Sequence, residues 1–251
     1  MDAAALHHLP LLLGAAFVAG ALNAVAGGGS FLTLPALVYA GVPAVTANAT
    51  GTAALLPGYL SSTWAYRHDI RTRRHASLPA TVLASLGGGA LGAGLLLLTP
   101  NATFRAIVPW LLLLATALFA AGPYLLTHLR RTQVAGTTAT CAGVFAVSVY
   151  GGYFNGGLGI MLLALYGLLG HTDLNAMNGL KNLLSAVLTT IAVALYALGG
   201  AILWSDAALM ALAATAGGWV GAHYGRRLPP RWLRAGIIAT GLVMTVLFFR
   251  R

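Results

Sequence analysis

Ten apolar runs follow one another along this chain, at roughly 9–25, 31–41, 44–66, 77–98, 103–127, 134–153, 157–170, 175–198, 206–225 and 231–249. The pattern predicts helices separated by short polar connections. Most runs approach the ~20 residues a helix needs to cross a ~30 Å hydrocarbon core. Two fall short: at ~1.5 Å per residue, 31–41 reaches about 17 Å and 157–170 about 21 Å. Each short run follows a glycine cluster, Gly27-Gly28-Gly29-Ser30 and Gly156-Gly157-Leu158-Gly159. Backbone that stops inside lipid must be satisfied by protein or by a water-lined cavity. Glycine permits the sharp reversal such a break requires. The expected fold is an all-α polytopic integral membrane protein with about 8–10 transmembrane segments, two of them short or re-entrant half-helices.

The two breaks also correspond. Gly27-Gly28 pairs with Gly156-Gly157 at an offset of 129 residues, and Asn48-Ala-Thr-Gly-Thr pairs with Asn178-Gly-Leu-Lys-Asn at 130. Gly87-Gly88 pairs with Gly217-Gly218, again at 130. The chain reads as one membrane domain built from two repeats, 1–130 and 131–251. An odd number of segments per repeat makes the second inverted relative to the first.

Composition explains the solvent. Of 251 residues, 59% are hydrophobic and 7% charged, with a mean hydropathy of +0.83. A soluble domain carries about 25% charged residues. The 14 Lys+Arg outweigh the 4 Asp+Glu, and the pI is near 10.5. A nucleic-acid partner is not expected, because the arginines sit in short loops between apolar runs. Arg67, Arg71, Arg73 and Arg74, then Arg130 and Arg131, then Arg226, Arg227, Arg231 and Arg234 are separated by even numbers of crossings. The positive-inside rule places the loops 67–75, 130–131 and 226–234 in the cytoplasm and both termini outside. Arg105, Arg250 and Arg251 fall opposite. Ala24-Val25-Ala26 mimics a signal-peptidase site, but no Lys or Arg precedes the 9–25 run, which is read as retained. The single cysteine, Cys141, reads as a packing residue.

Short or glycine-interrupted segments at equivalent places in two repeats point to a transporter's binding site. Half-helix N-termini there offer unpaired N–H groups and a positive dipole end, which suit an anion. Lys181 is the only lysine and lies about six residues into the 175–198 run. An ionisable group at that depth marks a candidate site. Its counterpart in the first repeat is Gly51. The competing readings are that Lys181 snorkels to the interface or pairs with Asp173. Asn48, Thr50, Thr52, Asn178 and Asn182 lie at the same depth, and Ser30 and Asn155 flank the breaks. All can hydrogen-bond a substrate, or simply one another across helices. Gly217, Gly221 and Gly225 form a small-residue row expected to be a helix contact. No HExxH, GxSxG, P-loop, paired carboxylates or metal-ligand histidine spacing occurs, so neither an enzyme nor a metal or other cofactor is expected.

The runs Asn23-Ala-Val-Ala-Gly-Gly-Gly-Ser-Phe-Leu-Thr-Leu-Pro-Ala-Leu and Ala47-Asn48-Ala-Thr-Gly-Thr resemble the TauE/SafE family of sulfite and organosulfur-anion permeases. Tyr153-Phe-Asn-Gly-Gly-Leu-Gly-Ile and Asn178-Gly-Leu-Lys-Asn-Leu-Leu are similar to that family's second repeat. The resemblance spans essentially the whole chain. It implies a bacterial inner-membrane carrier for sulfite, sulfonates and related anions, with export the favoured direction. Carried over by motif position, the implied substrate-binding residues are Gly27, Gly28, Gly29, Ser30, Asn48, Thr50 and Thr52, with Asn155, Gly156, Gly157, Asn178, Lys181 and Asn182. The expected function is a secondary transporter of small anions working by alternating access. An anion channel and a non-transporting subunit or assembly factor are the alternatives. The expected partners are the anion and the lipid bilayer; the coupling ion, proton or sodium, and the oligomeric state are left open.

Overall fold

The computed structural model describes residues 3–25, 28–71, 78–128, 136–171, 173–224 and 230–249. These residues are helical nearly throughout, and none is in a strand. The helices are α1 (Ala3–Val25), α2 (Ser30–Tyr39), α3 (Ala44–Ala65), α4 (Arg67–Arg71), α5 (Leu78–Leu98) and α6 (Asn101–His128). They continue with α7 (Thr137–Tyr153), α8 (Leu158–Leu168), α9 (Leu174–Leu198), α10 (Trp204–Tyr224) and α11 (Pro230–Phe249). The ten apolar runs all become helices. The addition is α4, whose sequence Arg-His-Asp-Ile-Arg has no apolar period to announce it.

α2 and α8 are short, at 10 and 11 residues. Each covers about half of a hydrocarbon core. α5, α6 and α9 contain the longest strongly apolar stretches, each long enough to span a membrane. Leu83, Leu91, Leu95 and Leu98 stand exposed along α5, and Leu113 and Leu114 on α6. Exposed leucines in such number suit a lipid-facing surface. Arg67 stacks over the exposed Trp64 ring, 4.7 Å from its centre. An aromatic with a cation beside it is a usual marker of the membrane–water boundary.

The packing follows a regular plan. α1 lies along α10, and α5 along α7. α3 packs on α10 as α9 packs on α5, and α3 also packs directly on α9. α2 rests on α3 as α8 rests on α9, and α11 meets α2 as α6 meets α8. Exchanging α1 with α7, α2 with α8, α3 with α9, α5 with α10 and α6 with α11 converts the α3–α9 pair into itself and each of the others into another packed pair.

Glycine sets the closest contacts. A Cβ at Gly88 would lie 2.5 Å from the Phe145 carbonyl oxygen, and one at Gly92 would lie 2.1 Å from that of Val149. In the other pair, a Cβ at Gly217 would lie 1.8 Å from the Phe17 oxygen and one at Gly221 would lie 2.6 Å from the backbone of Ala21. Backbone therefore meets backbone along both seams. The row at Gly217 and Gly221 is the helix contact the sequence suggested, while Gly225 lies outside the described residues. The glycines that play equivalent parts are Gly88 and Gly217, one position away from the register the sequence suggested at this point.

Candidate functional site

The two glycine breaks are built differently. Gly27 lies outside the described residues. Gly28 and Gly29 are buried, and their carbonyls accept from Phe31 N at 3.2 Å and Leu32 N at 3.1 Å to start α2. Gly29 has ordinary helical angles, φ −58° and ψ −37°. Its missing side chain serves close approach instead: a Cβ there would lie 2.9 Å from the Ala19 carbonyl oxygen. The expected sharp reversal is thus not what Gly29 supplies. At the second break Asn155 and Gly157 are both left-handed, with φ of 58° and 72°. Asparagine tolerates that region better than other side-chain-bearing residues. Gly157 N-caps α8, and a Cβ on it would also press on the Ala115 side chain at 2.9 Å.

The breaks meet in the interior. The Ser30 hydroxyl donates to the Asn155 carbonyl at 3.4 Å, and the Tyr59 hydroxyl to Asn155 Oδ1 at 3.5 Å. The Asn23 side chain lies beside the same Tyr59 hydroxyl. Asn48 Nδ2 donates to the Tyr153 carbonyl at 3.1 Å. Tyr150 donates to the Gly156 carbonyl at 2.8 Å, and Tyr196 to the Gly152 carbonyl. These bonds satisfy carbonyls that the left-handed turn takes out of the helical ladder. Asn155 is only 1% exposed, and its Nδ2, like Asn23 Oδ1, has no hydrogen-bond partner among the described residues. Neither α2 nor α8 has a side-chain N-cap. Backbone carbonyls take most first-turn N–H groups instead, as Gly157 does from Ile160 N at 3.0 Å, so what these ends offer an anion is chiefly the positive end of the helix dipole.

Lys181 stands on α9. Asp173, the partner the sequence offered it, caps that helix, accepting from Asn175 N at 3.0 Å and Ala176 N at 3.3 Å. Lys181 is 3% exposed and has no ion pair among the described residues. Asn182 is buried beside it, and Asn178 is half-buried one turn earlier. Gly51, the position that corresponds in α3, is filled from α2: its Cβ would lie 2.9 Å from Thr33 Oγ1.

The structure thus gathers Ser30, Asn48, Asn155, Gly156 and Gly157 around the meeting breaks. Thr52 is buried on the α3 face that also carries Asn48 and Tyr59. Lys181 and Asn182 lie on the helix packed against α3. Thr50 stands apart, accepting from Leu203 N at 3.1 Å and so tying α3 to the start of α10. Sequence reasoning passed over Asn23 and Tyr59 as site residues. The signal for Tyr59 was its place three turns after Asn48 on one helix face.

A protein of Sinorhizobium sp named "Probable membrane transporter protein ORF9" is 28% identical over 247 residues, covering 98% of this chain and 94% of that protein. A Haemophilus influenzae protein named "Probable membrane transporter protein" is 30% identical over 227 residues, covering 88% of this chain and 84% of its own length. The Escherichia coli K12 "Probable membrane transporter protein YfcA" is 28% identical over 224 residues, covering 87% and 81%. No solved structure gives a significant match. The model of the sulfite exporter TauE/SafE family matches residues 12–248, so this all-helical membrane protein belongs to that family.

Proposed function

We propose that the protein is a secondary transporter that carries small oxygen-bearing anions, of the sulfite or sulfonate type, across the bacterial inner membrane by alternating access. The observation that carries this reading is Lys181: the chain's sole lysine, 3% exposed, on the central helix α9, with no acidic partner among the described residues. A charged amine in a membrane interior is costly unless a counter-charge accompanies it. An anionic substrate supplies one. The uncapped N-terminal ends of α2 and α8 add positive potential, and Asn48 and Asn155 add polar contacts.

Two inverted repeats, 1–130 and 131–251, supply the two alternating states. The packing supports this plan, since exchange of equivalent helices preserves the main contacts and the seams at Gly88 and Gly217 match. Relatives that bear transporter names point the same way. The arginine loops at 67–75, 130–131 and 226–234 then face the cytoplasm.

The test is counterflow in proteoliposomes. Preloaded unlabelled sulfite should transiently concentrate labelled sulfite, with saturable rates. Conductive flux without counterflow would make the protein an anion channel, and no flux or sulfite-dependent stabilisation would sink transport altogether.

A further inference from the structure

Several helical threonines here donate their hydroxyls back to their own helix, one way to satisfy a buried hydroxyl. Thr63, Thr116, Thr190 and Thr245 bond the carbonyl four residues earlier at 2.8, 2.7, 2.7 and 2.7 Å. Ser185 and Thr189 on α9 do not. Both are fully buried, at 0% exposure, and neither hydroxyl has a partner among the described residues. The next residue, Thr190, makes the back-bond to Ala186, so the helix itself does not forbid it.

Position is the second clue. Lys181, Ser185 and Thr189 are spaced by four, which puts them on one face of α9, about 6 Å apart along the axis. Leu184 and Leu188, three and seven residues after Lys181, border this stripe on one side. The Leu188 side chain fills the space beside Gly89 and Gly151 on α5 and α7, and the Leu184 carbonyl accepts from Ser85. The polar face is also buried in protein, since Ala192, one turn further, is 0% exposed.

We infer that Ser185 and Thr189 form an oxyanion subsite one and two turns beyond Lys181, donating hydrogen bonds to the oxygens of a sulfite- or sulfonate-type anion as it moves along α9. The inference rests on the proposed transport of such anions. A lysine ammonium gives non-directional charge. Two hydroxyl donors in line with it distinguish an anion with several oxygens on one centre from one without.

The experiment uses the full-length protein in liposomes with sulfite as the transported probe. The double variant Ser185→Ala/Thr189→Val should raise the KM for sulfite about tenfold or more, the effect of losing hydrogen bonds to a charged group. Ser185→Thr/Thr189→Ser should restore it, and Thr190→Val should leave it unchanged. In a Cys141→Ala background, Thr189→Cys should react with a membrane-permeant thiol reagent and be protected by methanesulfonate. This labelling also decides the matter if the double variant fails to fold. A KM within twofold of the parent, or labelling without protection, would overturn the subsite. Lys181→Ala separates the two readings: if it abolishes uptake while the hydroxyl variants do not, transport at Lys181 stands and only the subsite falls.

Discussion

The Ser30 hydroxyl and the Asn155 carbonyl, 125 residues apart in sequence, lie 3.4 Å apart and join the start of α2 to the turn before α8. Two interruptions of the membrane helices are thereby made one place. Glycine breaks alone do not require this, since each could be satisfied by its own neighbours.

Asn155 is where the backbone conformation is most exacting. Asn155→Val should cost roughly 1–2 kcal/mol, because a β-branched residue is poorly accommodated at positive φ. It should lower the melting temperature in detergent. Asn155→Gly keeps the turn but removes the Tyr59 contact, so it should melt close to the parent and transport sulfite more slowly. Equal stability of the two variants would show that the turn is not strained.

Lys181→Ala should abolish sulfite-dependent thermal stabilisation and uptake while leaving membrane insertion intact. Lys181→Arg keeps the charge but changes its shape and donor geometry, and should retain weak uptake. Uptake unchanged in Lys181→Ala would remove the lysine from the site.

The seams can be tested without substrate. Gly92→Ala puts a methyl 2.1 Å from the Val149 carbonyl oxygen, whereas nothing lies within 4 Å of a Cβ at Gly94 on the same helix. Gly92→Ala should destabilise by about 1–3 kcal/mol through overpacking. Gly94→Ala should be neutral or gain up to ~1 kcal/mol from helix propensity. Thermal unfolding in one detergent reads both.

Thr50→Val should separate structure from transport. It leaves Leu203 N without its acceptor, at a cost of about 1 kcal/mol. Melting should fall, while the KM for sulfite in the folded fraction should hold. A raised KM would return Thr50 to the substrate site.

The helix plan was legible because lipid imposes long apolar runs and glycine marks their ends. The short helices expected at 31–41 and 157–170 are α2 and α8, within a few residues. Finer features were hidden for physical reasons. Gly29 and Gly157 look alike in sequence, yet the first allows close approach and the second a left-handed cap. Thr189 and Thr190 are adjacent and chemically identical, yet one bonds its own helix and the other does not. Only the tertiary environment separates them.

The seam between α1 and α10 has a further meaning for synthesis. Gly20, whose Cβ would lie 1.9 Å from the Ala214 carbonyl oxygen, precedes its partner by roughly 200 residues. At about 5–20 residues per second, the ribosome delivers α10 some 10–40 s after α1. During that interval the first helix has no α10 against which to pack its glycines. α5 and α7, neighbours in the chain but for α6, are both delivered within about 3–11 s at the same rate. Assembly is thus staggered: one seam zips as the chain emerges, and the other cannot shut until the chain is nearly complete.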